Sequence, residues 1–167
     1  MTDRHDFDAF FTDTYGPVVA SLTVAFGDAE AAAEAVQDAF VKAYSRWNRI
    51  RRYDIPQAWV RRVAINRLRD LARKRERQRK AEARAGAEPR SHVSLGAEDG
   101  GFAELVGRLP ERQRTAIVLH YLEDLPVREI ADSMGISEGA VKAHLSQARA
   151  NLREHLSEGD DREESWR

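Results

Sequence analysis

The chain of 167 residues contains no cysteine, which excludes disulfides and thiolate metal sites. No stretch approaches the roughly 20 consecutive apolar residues that a membrane span needs, so membrane insertion is not expected. The first residues, Met-Thr-Asp-Arg-His-Asp-Phe-Asp, lack the basic-then-apolar order of a secretory signal, and a cytoplasmic protein is the expectation. Histidines are scattered at positions 5, 92, 120, 144 and 155, without the spacing of a helical zinc motif. A Gly-rich phosphate loop is missing too, so no cofactor is expected. Strand-type alternation and internal repeats are also lacking. Together these absences argue against an enzyme.

Charge, by contrast, is abundant and unevenly placed. Residues 1–40 carry eight acidic side chains against Arg4, a balance of -7. Residues 61–84 carry eleven Arg or Lys against Asp70, Glu76 and Glu82, a balance of +8. Residues 154–167 carry six acids against Arg162 and Arg167, a balance of -4. The formal net charge of -1 conceals this segregation. Such polarity suits a protein that turns one face to nucleic acid and another to a protein partner, though solvated helix surface would give the same pattern.

Apolar residues recur at helical spacing along most of the chain. Phe7, Phe10, Phe11, Tyr15, Val18, Val19 and Leu22 outline a first helix that Gly16-Pro17 is expected to kink or break. Asp28 is placed to cap a second helix over 29–47, with Val36, Ala39, Phe40, Ala43, Tyr44 and Trp47 inward. Pro56 suits the first turn of a long helix reaching about residue 80, whose apolar side is Val60, Val63, Ala64, Leu68 and Leu71. Periodicity disappears over 82–101, which reads as a flexible linker. It resumes with Phe102, Leu105, Val106 and Leu109, then Pro110 at a new helix start, then Ile117 to Leu119, Tyr121 and Leu122. The expected fold is all-α: two small helical domains, 1–81 and 102–156, joined by the linker, with a frayed acidic tail at 157–167.

The most informative stretch is 127–145, which reads as a helix-turn-helix. Val127, Ile130, Ala131 and Met134 line one side of its first helix. Gly135 can close that helix in a left-handed cap, and Ser137 can cap the next, with Glu138 near the dipole. Val141, Leu145, Ala148 and Leu152 form the inner stripe of the second helix. Its opposite face carries Lys142, Ala143, Ser146 and Gln147, side chains suited to base edges in a major groove. A plain helical hairpin would show the same caps, but the small residue, turn glycine and inward valine all fall where this motif requires them. Gly135-Ile136-Ser137-Glu138-Gly139 also matches a nucleophile elbow. That motif needs a strand before the serine, and here a helix precedes it.

A second constellation lies on the helix from Pro56. At 100° per residue, Arg62, Asn66, Arg69 and Arg73 share one face. The arginines suit phosphates, which supply affinity without sequence information. Asn66 cannot neutralise a phosphate, but its amide can pair with a base edge. Trp47, Tyr53 and Trp59 bracket the turn-rich piece 48–55 and could stack on unstacked bases. Core packing is the commoner role for the two tryptophans, less so for Tyr53.

Four motifs in this order, 33–44 (AEAVQDAFVKAY), 58–70 (AWVRRVAINRLRD), 109–114 (LPERQR) and 129–145 (EIADSMGISEGAVKAHL), resemble the extracytoplasmic-function (group four) sigma factors of RNA polymerase. The resemblance covers nearly the whole chain apart from linker and tail. It implies a protein without chemistry of its own that lends promoter recognition and strand opening to the polymerase core. By position, it implies that Gln37, Asp38, Val41 and Lys42 dock on the coiled coil of the beta-prime clamp; as residues alone, they form a polar stripe equally suited to solvent. It implies that Asn66 lines a pocket for a flipped −10 base shaped by the loop around 51–55, with Tyr53, Arg62, Arg69 and Arg73 beside it. That loop reads Arg-Arg-Tyr-Asp-Ile-Pro instead of the family's usual phenylalanine-arginine-glycine stretch, so a different base preference is expected. Ser137, Lys142, Ala143, Ser146, Gln147 and Arg149 match positions that meet the −35 element or its phosphates. Several members have arginine at two of these positions, so different contacts are expected here. Implied partners are the RNA polymerase core (beta-prime clamp and beta flap), promoter DNA and an anti-sigma factor. The competing reading is a helix-turn-helix regulator that binds duplex DNA without polymerase, which would need a receiver or ligand domain in the first 80 residues.

Overall fold

The computed structural model describes residues 2–88 and 100–164, with side chains from 5–88 and 101–157. Eight helices and no strand occur among them: α1 (Thr2–Phe26), α2 (Ala29–Ser45), α3 (Trp47–Ile50), α4 (Pro56–Arg84), α5 (Gly100–Gly107), α6 (Glu111–Tyr121), α7 (Val127–Met134) and α8 (Glu138–Glu164).

Local chemistry sets most boundaries. Asp28 caps α2 by accepting the Ala31 N–H at 2.9 Å. That bond, helped by Arg75 against a smaller opposing effect of burial, holds the Asp28 carboxyl below the usual carboxylate range. Pro56 opens α4, where a missing N–H costs nothing. Gly27 ends α1 at φ 71°.

Several boundaries differ from those expected. Gly16-Pro17 does not break α1, which runs 25 residues with Pro17 inside it. Proline removes one backbone bond there, and packing of Val18 and Leu22, both fully buried, holds the helix together. Trp47 belongs to the separate turn α3, because α2 ends at Ser45 with Arg46 as its cap. Tyr44, expected inward, is 58% exposed, although its ring meets Phe7 edge-on at 5.0 Å. Helix α4 runs through the start of the expected linker to Arg84, while 89–99 lie outside the described residues. The backbone stays helical to Glu164 instead of fraying from 157; 165–167 lie outside the described residues.

The larger difference concerns how the halves meet. Helices α1, α2 and α4 enclose Val18, Leu22, Val36, Phe40, Val60 and Ile65, and α5 to α8 enclose Val106, Ile117, Leu119, Ile130 and Val141. These two sets belong to one continuous core, because α4 packs on α7 and α1 packs on α6. The two helical domains expected from the sequence are thus docked on each other through α1, α4, α6 and α7. Helical periodicity records that a face is apolar but not which helix covers it.

Candidate nucleic-acid interface

The helix-turn-helix forms as its residues dictate. Gly135 takes φ 67° and ψ 37°, and the Ile136 N–H reaches the Ala131 carbonyl at 3.1 Å, closing α7 in a Schellman turn. A side chain at 135 would be strained by that φ and would also meet the Arg62 guanidinium at 2.9 Å. Ser137 caps α8 by accepting the Ala140 N–H at 3.1 Å. Val141, Leu145 and Ala148 are buried, with Leu152 partly so. Lys142, Ala143, Ser146 and Gln147 are exposed on the other side, as the spacing predicts. Two of the outer residues have neighbours that sequence did not reveal. Gln147 accepts a 3.5 Å bond from Gln113. Arg149 donates to the Tyr121 hydroxyl at 3.2 Å and lies over that ring at 5.9 Å.

On α4, Asn66 and Arg73 are exposed, the latter paired with Asp70 one turn away at 2.7 Å. Arg62 leans over Gly135. Arg69 is 13% exposed and donates from Nε to both oxygens of Glu111 at 3.0 and 3.2 Å. Two of the four expected contact residues thus touch the C-terminal half of the same chain. Sequence reasoning missed Arg61 altogether. It is buried, and its Nε and Nη2 donate to Glu123 Oε2 at 2.8 and 2.5 Å. No periodicity argument assigns an arginine inward. The only available signal was its place between the inward Val60 and Ala64.

Upstream of α4, Trp47 is a core residue, tilted against Phe10 at 4.8 Å and edge-on to Phe7 at 5.2 Å. Trp59 and Tyr53 are half-buried against that core. A shallow depression of about 460 Å³, lined by Asp6, Phe10, Trp47, Arg51, Arg52 and Pro56, opens beside the turn. On α2, Gln37, Val41 and Lys42 are exposed, Val41 by 65%. Asp38 is half-buried and lies 3.8 Å from Arg67, a surface pair of small energetic weight. Phe40 and Ala43 anchor this face from below.

No helix among the described residues is long and apolar enough to cross a membrane. Among the same residues, no group of three or more His, Asp or Glu could hold a metal ion.

Comparison with known proteins agrees with this geometry. The family "Sigma-70 region 2" matches residues 11–78, and "Sigma-70, region 4" matches residues 101–152. An RNA polymerase sigma-E factor of Streptomyces avermitilis is 31% identical over 130 residues, 77% of this chain and 73% of the relative. The ECF RNA polymerase sigma factor SigW of Bacillus subtilis is 29% identical over 92% of this chain and 91% of its own. Among solved structures, the sigma factor RpoE of Bartonella quintana, in complex with the anti-sigma factor NepR, shares the fold. It superposes with a TM-score of 0.75 over 91% of this chain and 97% of its own, at 24% identity. The regulator reading fails at its distinguishing feature, since the N-terminal half, where that reading needs a receiver or ligand domain, matches sigma region 2. With both regions present in order, the chain belongs to the extracytoplasmic-function group of the sigma-70 family, as an alternative sigma factor that directs transcription initiation.

Proposed function

We propose a division of this task among three surfaces of the chain. Asn66, with Tyr53 and the arginines Arg62, Arg69 and Arg73, recognises the −10 element in its opened form. The outer face of α8, from Ser137 through Lys142, Ala143, Ser146 and Gln147 to Arg149, meets the −35 element. Gln37, Asp38, Val41 and Lys42 dock on the beta-prime clamp, and the C-terminal half meets the beta flap. The protein carries no catalytic group of its own in this reading and works in the cytoplasm. An anti-sigma factor is a natural further partner, since CnrH, 27% identical, was solved with the cytosolic domain of CnrY. Residues 1–81 and 102–156 are the two functional units.

The observation that carries this reading is the exposed amide of Asn66 on the face of α4 that also carries Arg62, Arg69 and Arg73. Arginines there supply phosphate affinity, while an exposed asparagine supplies a bidentate edge for adenine-type readout. Run-off transcription with bacterial core polymerase on a pool of genomic promoters is the direct test. Core plus this protein is expected to initiate at a defined promoter set, and Asp38→Arg is expected to weaken core association in a pull-down. Tight duplex binding by the protein alone, with no stimulation of core, would overturn the proposal.

Asn66→Ala is expected to lose about 1–3 kcal/mol of discrimination at one −10 position. Promoter selection by the variant from a randomised −10 library reads this out. An unchanged preference would remove Asn66 from the recognition set.

A further inference from the structure

Three side-chain amides form a chain along one flank of the helix-turn-helix. Gln147 and Asn151 stand one turn apart on α8, and Gln113 of α6 bonds to both. Asn151 Nδ2 donates to Gln113 Oε1 at 2.8 Å. Gln113 Nε2 in turn donates to Gln147 Oε1 at 3.5 Å. Gln113 and Asn151 are half-buried, while Gln147 is exposed beside Ser146. The amides thus run head to tail from Asn151 towards the outer face of α8. Gln147 receives the last link on its oxygen, and its Nε2 has no partner among the described residues.

We propose that Gln113 is a positioning residue that sets which base Gln147 reads in the −35 element. An unrestrained glutamine pairs with adenine through both ends of its amide, accepting from N6 and donating to N7. In this chain the accepting end is engaged by α6, so Gln147 meets the major groove with its NH2 group. Two N–H donors match guanine, which offers O6 and N7 as acceptors. They oppose cytosine, whose N4 is itself a donor. The Gln113–Gln147 bond is long, and a bond of that length is weak on its own. The shorter bond from Asn151 supplies the direction, because it holds the Gln113 oxygen on the Asn151 side. Turning the Gln113 amide over alone would set oxygen against oxygen at Gln147 and nitrogen against nitrogen at Asn151. The proposal rests on the reading of the outer face of α8 as the −35 surface.

Transcription by core polymerase with the full chain, from promoters randomised across the −35 element, reads the preference. Gln147→Ala first locates the position that Gln147 reads, as the one where selectivity falls. Wild type is expected to favour guanine over adenine there. Gln113→Leu frees the Gln147 oxygen, and the guanine-to-adenine ratio is expected to fall about two- to tenfold, the worth of one hydrogen bond. Gln113→Glu offers acceptors only, so Gln147 must donate inward and present its oxygen to DNA. Selection is then expected to move towards adenine and cytosine, which carry N–H donors in the major groove. A mere packing role for Gln113 would lower −35 use at every sequence and leave the order of bases unchanged. Circular dichroism is expected to match wild type in both variants, and if Gln113→Glu does not fold, Gln113→Leu carries the test. Adenine preferred by wild type would overturn the proposal. An unchanged base order in the folded Gln113 variants, with Gln147→Ala still flattening one position, would overturn the role of Gln113 and leave α8 as the −35 surface. If Gln147→Ala flattens no position, the proposal falls; if wild-type transcription also ignores the −35 element, the reading of α8 falls with it.

Discussion

Val141→Asp is expected to unfold the C-terminal half of the protein. Val141 is fully buried between α7 and α8, where its methyl groups lock the helix-turn-helix. An aspartate there either buries an unpaired carboxylate or pulls α8 off α7. Either outcome costs more than about 4 kcal/mol, the range of unpaired charges in cores. Urea denaturation of the full chain, followed by far-UV circular dichroism, measures it. Lys142→Ala and Gln147→Ala, one residue and six residues further along, are the controls. Both side chains face solvent, so helicity and midpoint should hold while −35 binding falls. Loss of helicity in those two controls with a stable Val141→Asp variant would mean that the two faces of α8 are reversed.

Phe40→Ala is expected to have the second large effect. The Phe40 ring is 3% exposed and meets Phe7, Phe10, Phe11 and Tyr15 at centroid distances of 6.3, 5.6, 4.9 and 5.9 Å. Truncating a ring in such a cluster costs about 3–5 kcal/mol through lost transfer energy and the cavity left behind. At about 2–4 °C per kcal/mol for a chain of this size, the Tm falls by about 6–20 °C. Core polymerase binding should fall in parallel, because Phe40 supports the face that carries Gln37, Val41 and Lys42. A Tm within about 2 °C of wild type, on the same scale, would show that the cluster is dispensable packing.

Helix caps and helix faces were legible in the sequence because short-range chemistry decides them. Asp28, Pro56, Gly135 and Ser137 sit where their backbone geometry requires, and Val141 and Leu145 point inward at their helical period. Tyr44 was misjudged for a related reason, since an aromatic can sit at the edge of an apolar stripe with its hydroxyl end in water. Contacts between distant segments were not legible. Ser21 and Glu123 are 102 positions apart, and nothing local to either marks them as partners. Arg61 reads as one more basic residue until its partner is known. The docking of the two domains on each other was hidden for the same reason, because a stretch such as 82–101 without periodicity carries no information about whether its flanks meet.

The sequence separation of these cross-links also has a consequence during synthesis. Helices α1, α2 and α4 complete their own core from residues 7–68, well before Glu111 and Glu123 have been added. Ribosomes extend chains at about 5–20 residues per second, so residues from 85 to 123 take about two to eight seconds to add. For that interval the partners of Arg61 and Arg69 in the C-terminal half, Glu123 and Glu111, are still incomplete. A newly made molecule therefore passes once through a form in which Arg61 and Arg69 have not yet met Glu123 and Glu111.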